Sequence, residues 1–176
     1  DTQDVAALTT AGVAAMGTTQ IAKGLTTDQV VALTTAQVTA LSTDQVSNMG
    51  TSQVAALETR DVAALKTAQV AALTTTQINK GLTTDQVAAL TTAGVAALGT
   101  TQVSAGLTTD QIVALTTAQV GALRTDQAAA LGTSQVAAMQ TQDVAALTTA
   151  SIAAMGTTQI SKGLTTDQVV ALTTAQ

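Results

Sequence analysis

A chain of 176 residues with a net charge of −5 contains no Phe, Tyr, Trp, His, Cys or Pro, while 38 Thr and 37 Ala make up over two fifths of it. These absences exclude disulfides and thiolate chemistry, ordinary zinc or copper sites and the aromatic platforms on which nucleic-acid bases stack. The acidic balance leaves no basic patch for a phosphate backbone. Aliphatic runs such as Val30-Val31-Ala32-Leu33 are far shorter than the about 20 apolar residues of a membrane span.

The remaining residues are arranged in a repeat that runs the whole length. An aliphatic residue opens each unit at Val5, Val13, Ile21, Val30, Val38, Val46, Val54, Val62, Val70, Ile78, Val87, Val95, Val103, Ile112, Val120, Ala128, Val136, Val144, Ile152, Ile160 and Val169. These are 21 units of the form V-A-A-L-x-T-x-Q, whose positions are numbered 1 to 8 below. Position 1 is Val or Ile except at Ala128, position 4 is Leu or Met, and position 6 is Thr throughout. Position 8 is mostly Gln, with Asp, Gly or Ser in a few units, whereas positions 5 and 7 vary widely. Strict positions are expected to be buried or hydrogen-bonded, and loose ones to face water. Ten units, or 82 residues, recur as a block, and residues 1–37 match residues 140–176 at 33 of 37 positions. The expectation is one continuous array over residues 1–176, a piece of a longer chain.

A single long helix does not suit this period. Eight residues turn an α-helix about 80° past two full turns, so the Val/Leu stripe would spiral around it instead of facing one partner. In a strand, positions 1 and 4 would face opposite sides, and Ala-Ala is poor strand sequence. A β-solenoid stands as the alternative. The favoured reading is an all-α solenoid with one very short helix in each unit of eight or nine residues. Val and Leu, three apart, then share a face, and Val38, Leu41, Val62, Leu65, Val120 and Leu123 are candidate core residues.

In chain order, the position-6 threonines Thr10, Thr18, Thr27, Thr35, Thr43, Thr51, Thr59 and Thr67 are candidate N-caps. A second register makes position 5 the cap and Gln its capping-box partner, as in Thr34-x-x-Gln37. Asp28, Asp44, Asp85, Asp110, Asp126 and Asp167 fall in the first turn, where the helix dipole favours an anion. Four units carry an extra residue, Gly24, Gly81, Gly106 and Gly163, ahead of the leucine. These glycines, and those at position 5, are expected to end helices in a left-handed conformation. Lys23, Lys80 and Lys162 then lie at helix C-termini, the end that favours a cation. Helices of about six residues do not stand alone in water, so stability must come from stacking and grow with unit number.

No constellation points to chemistry. Ser161-Lys162 could pair a nucleophile with a base, but the equivalent positions hold Ala22-Lys23, Asn79-Lys80 and Ser104-Ala105. The aspartates do not converge within one loop as calcium requires. No phosphate loop motif occurs. The four methionines stand at leucine positions and read as core. Neither an enzyme activity nor a cofactor or metal is expected.

The string L-T-T-x-Q-V, as in Leu33-Thr34-Thr35-Ala36-Gln37-Val38 and Leu115-Thr116-Thr117-Ala118-Gln119-Val120, resembles repeat regions of very large bacterial secreted or surface proteins of adhesin-like or haemagglutinin-like type. The resemblance covers essentially the whole chain. It implies an extracellular or cell-surface structural role, as a stalk, fibre or surface layer, and carries no catalytic residue across. The expected partners are neighbouring repeats and copies of the chain itself, without nucleic acid or membrane insertion. The alternative is a repetitive ligand surface, in which Thr arrays order water as in ice-binding proteins. Position 5 speaks against such a lattice, being Glu58, Lys66, Arg124, Gln140 or Gly in many units.

Overall fold

The computed structural model describes residues 1–176. Each unit folds as predicted into one short helix. There are 21, from Thr2–Ala7 to Thr166–Ala171, and no strand, which eliminates the β-solenoid. Most helices are six residues long, such as Thr35–Ala40, Thr84–Ala89 and Thr149–Ala154.

The way a helix ends explains the eight-residue period. In helix Thr35–Ala40 the next residue, Leu41, is extended (φ −58°, ψ 138°), and its N–H returns to Val38 O at 3.2 Å. A second extended residue, Ser42, is the cap of the next helix, Thr43–Asn48. Six helical and two extended residues make the unit. No residue has a positive φ, glycines included, so the left-handed endings expected at Gly24, Gly81, Gly106, Gly163 and the position-5 glycines do not occur. Gly50 is an extended helix start (φ −69°, ψ 154°), as position 5 is elsewhere.

The inserted glycines do sit at helix C-termini, but for another reason. Three of the long units become π-helical turns, Gln20–Gly24, Gln102–Gly106 and Gln159–Gly163. The fourth, Thr75–Lys80, closes with Leu82 N–H on Gln77 O, five residues back, at 2.8 Å. The ninth residue is absorbed as a widened last turn. Glycine is needed for space: a Cβ on Gly81 would lie 2.5 Å from Gln77 O of its own turn, 3.1 Å from Val54 Cβ and 3.2 Å from Thr51 O, on Gly106 3.3 Å from Ile78 Cγ2, and on Gly163 3.2 Å from Val136 Cβ. All but Gln77 belong to the helix three units earlier. Gly24, in the first turn, has no such neighbour and only Gln20 nearby.

That spacing sets the architecture. Every helix packs on the helix three units further on: Thr10–Ala15 on Thr35–Ala40, Thr67–Ala72 on Thr92–Ala97, Thr125–Ala130 on Thr149–Ala154. Hydrogen bonds described below tie it equally to the helix four units away. A turn of the solenoid therefore holds between three and four units, and each helix straddles the junction of two helices in the next turn. Positions 1 and 4 point inward. Val38, Leu41, Val62, Leu65, Val120 and Leu123 are all buried, within one continuous apolar cluster that runs from Val5 to Met155. Met49, Met139 and Met155 fill leucine positions in it. Position 3, alanine in all units but those with Lys23, Asn48, Lys80 and Lys162, is only half-buried in helices such as Thr51–Ala56 and Thr84–Ala89. No helix is long and apolar enough to cross a membrane.

Candidate functional site

The residue that organises the molecule is the glutamine at position 8, the third helical residue. Gln37 shows the pattern. Its Oε1 accepts the Thr34 backbone N–H at 2.7 Å, capping its own helix. Its Nε2 donates to Val5 O at 2.9 Å and Leu8 O at 2.7 Å, in the helix four units earlier. Both N–H donors and one acceptor position of the amide are used, with the side chain almost fully buried. The bridge recurs: Gln77 to Val46 O and Met49 O, both at 2.8 Å, Gln119 to Val87 O at 3.0 Å and Leu90 O at 2.6 Å, Gln168 to Val136 O at 2.9 Å and Met139 O at 2.7 Å. Gln176 continues it to Leu147 O at 2.5 Å. Of the two carbonyls it takes, the one at position 4 is left open where the helix ends early, and the one at position 1 also accepts the position-4 N–H.

This explains the tolerance of position 5. Glutamine satisfies the cap N–H whatever the cap residue is: Gly50 N (2.8 Å), Lys66 N (2.9 Å) and Arg124 N (2.8 Å) all donate to a glutamine Oε1. Where position 5 is Thr or Ser, its hydroxyl returns a bond to the third residue, as Thr83 Oγ1 does for Gln86 N at 3.2 Å. The caps are therefore position 5, and the capping-box register is the one the molecule uses. Thr10, Thr18, Thr27, Thr35, Thr43, Thr51, Thr59 and Thr67 are corrected accordingly. They stand one residue later, helical or entering the helix, because only position 5 puts the third helical residue at the capping-box place, even where position 5 is Gly50, Glu58 or Lys66.

Two units break the ladder in the same way. Asp61 and Asp143 occupy the glutamine position of helices Thr59–Ala64 and Thr141–Ala146 and are completely buried. One methylene shorter and lacking N–H donors, neither reaches the turn below. Instead Oδ1 accepts Thr35 Oγ1–H at 2.5 Å and Thr117 Oγ1–H at 2.7 Å, from the helix three units earlier. Oδ2 of each has no hydrogen-bond partner. These are the only position-6 threonines whose hydroxyls bond, and nothing in the structure explains why the other units also carry Thr there. Gly94 and Ser151 also lack the bridging amide.

The remaining polar side chains are on the surface. Asp28, Asp44, Asp85, Asp110, Asp126 and Asp167 lie in first turns, and Lys23, Lys80 and Lys162 in last turns, as the dipole argument requires. Ser161 and Lys162 are both exposed. Arg124 Nε and Nη2 donate to the Asp126 carboxylate at 3.0 and 3.1 Å, and this bond holds Asp126 below the usual carboxylate range. No three acidic side chains converge. The one recess is shallow and lined by Thr75, Thr76, Asn79, Lys80 and Ala105. The glutamine arrangement joins one turn to the next.

A family model described as the ALTTAQ repeat matches residues 1–35, 31–59, 54–92, 87–117, 107–133, 113–141 and 136–174, nearly the whole chain in overlapping stretches. No curated protein and no solved structure matches it.

Proposed function

Because the chain belongs to the ALTTAQ repeat family, we propose that it is a non-enzymatic spacer, one continuous stretch of a longer array that forms an extracellular stalk, fibre or surface layer. The observation that supports this reading is the glutamine bridge. The same amide joins the same carbonyls in most units between Gln37 and Gln176, so turns can be added without new contacts being invented. In such quasi-one-dimensional proteins length is set by repeat number alone. The near-identical blocks in the sequence suit a protein whose length changes by duplication. The half-unit stagger between turns and the varied position 5 weigh against a flat Thr lattice, so ice binding stays the weaker reading.

Two measurements test the proposal. Small-angle scattering on arrays of one, two and three 82-residue blocks should give a maximum dimension that rises in equal steps, and a compact particle that grows in all directions would overturn the spacer. Antibodies against the chain should label intact source cells. Labelling only after permeabilisation would overturn the extracellular location.

A further inference from the structure

The four long units are helices Gln20–Gly24, Thr75–Lys80, Gln102–Gly106 and Gln159–Gly163, the third, tenth, thirteenth and twentieth in chain order. They are seven, three and seven helices apart. Seven helices make two turns and three fall about half a unit short of one. The inserts therefore come back near one side of the rod, the last two displaced from the first two by about half a unit. Helices Thr75–Lys80 and Gln102–Gly106 touch there, Asn79 Nδ2 donating to Gly106 O at 3.3 Å. Along this side stand Lys23, Lys80 and Lys162, all exposed and none in an ion pair. Each is followed by glycine, exposed at Gly24 and buried against the preceding turn at Gly81 and Gly163.

The helix after each insert has the opposite character and necessarily the same spacing. Thr27–Val31, Thr84–Ala89, Thr109–Ala114 and Thr166–Ala171 carry Asp28, Asp85, Asp110 and Asp167, exposed and likewise without an ion-pair partner. Three of them also expose valine: Val31 at 43%, Val113 at 42% and Val170 at 80%. Apart from Val31 and Val113, every large apolar side chain left exposed belongs to the first unit or the last two. Two neighbouring columns thus run along the rod, one of lysine beside glycine, the other of aspartate with valine.

We propose that this face docks a second copy of the chain, side by side and parallel, the lysine column of each rod against the aspartate–valine column of the other. A two-fold axis parallel to the rods exchanges the two columns. It sets Lys23 against Asp28 of the second copy, Lys80 against Asp85 and Lys162 against Asp167, each contact made twice, as an isologous interface requires. A second copy fits because it matches the uneven seven-three-seven spacing by construction, which an unrelated partner would have to reproduce. Exposed pairs of this kind fix register and partner more than they add affinity, so the association weakens with salt. The proposal rests on the spacer reading for its purpose, since lateral pairing turns single rods into a fibre.

Sedimentation velocity on the full chain tests it. Wild-type chain should dimerise at low ionic strength, with the association constant falling at least about tenfold in high salt. D28K/D85K/D167K and K23D/K80D/K162D change only exposed side chains and should each be monomeric with unchanged circular dichroism. Mixed, the two should form a heterodimer. A wild-type chain that stays monomeric, or variants that associate as well as wild type, would overturn lateral docking. A monomer that still elongates with repeat number would leave the spacer standing, whereas a dimer of compact particles would overturn the spacer and keep the docking.

Discussion

Helices Thr117–Gly121 and Thr141–Ala146 share one core and differ in one side chain that decides how they hold the turn below. Gln119 of the first ties its own start to two carbonyls four units back, and no polar atom of it is left over. Asp143 of the second sits equally deep, takes one hydroxyl three units back and leaves an oxygen bare. Apolar burial is the same in both, Val120 and Val144 being fully buried. Apolar packing makes the stack, and the amide locks each turn to the last. Where a carboxylate replaces it, one hydroxyl bond and the apolar packing carry the stack on.

The comparison can be broken most severely at Gln119. Gln119→Glu keeps an acceptor for the cap N–H but replaces the donor by a charge facing Val87 O and Leu90 O. A loss of about 3 kcal/mol or more in denaturant unfolding is expected. If glutamine acted only as a cap partner, Glu would be neutral, since it serves that role equally well. Next comes Gly81→Ala, whose methyl would meet Val54 and Thr51 O of the helix three units earlier. A cost of about 1–3 kcal/mol is expected, where the equivalent Gly24→Ala, with no helix against it, should cost less than about 0.5 kcal/mol.

The opposite sign sharpens the comparison. Asp143→Gln removes the bare oxygen and offers two N–H donors to Ile112 O and Leu115 O, the carbonyls that lie four units back. It should stabilise by about 1–2 kcal/mol, seen as a raised denaturation midpoint at unchanged m-value. The two adjacent threonines come next: Thr83→Ala should cost about 0.5–2 kcal/mol as a lost cap, and Thr84→Ala close to nothing. The smallest effect is at Asp126, fully exposed beside Arg124. Its folded-state value lies below the unfolded one, so the pair's small contribution is present above the ordinary carboxylate range and is lost as pH falls through the lowered value. Arg124→Gln should move the Asp126 titration seen by NMR upward while leaving the melting temperature nearly unchanged.

Much of the fold was legible because it is local. Val38 and Leu41, three apart, announced a six-residue helix with one buried side, and Asp28 and Lys23 marked its two ends by the dipole. The cap register was not, because Thr34 and Thr35 are equally able to cap and the invariance of position 6 favoured the wrong one. The glycine inserts mislead for a similar reason: Gly81 at a helix end suggests left-handed backbone, whereas a Cβ there would meet Gln77 O of its own widened turn and Val54 of the helix three units earlier. The ladder was hidden because Gln37 meets Val5 only once the number of units per turn is known. A signal was present nonetheless. Capping boxes take Glu as readily as Gln, yet no glutamate occurs at position 8, which says that both ends of the amide are in use.

Side-chain amide hydrogen exchange followed by NMR asks this most directly, because the chain carries its own control. The Gln119 Nε2 hydrogens, bonded to two buried carbonyls, should exchange orders of magnitude more slowly than those of exposed Gln142, and as slowly as neighbouring core backbone amides. Equal, fast exchange at both residues would contradict the account, leaving apolar packing as all that holds one turn to the next.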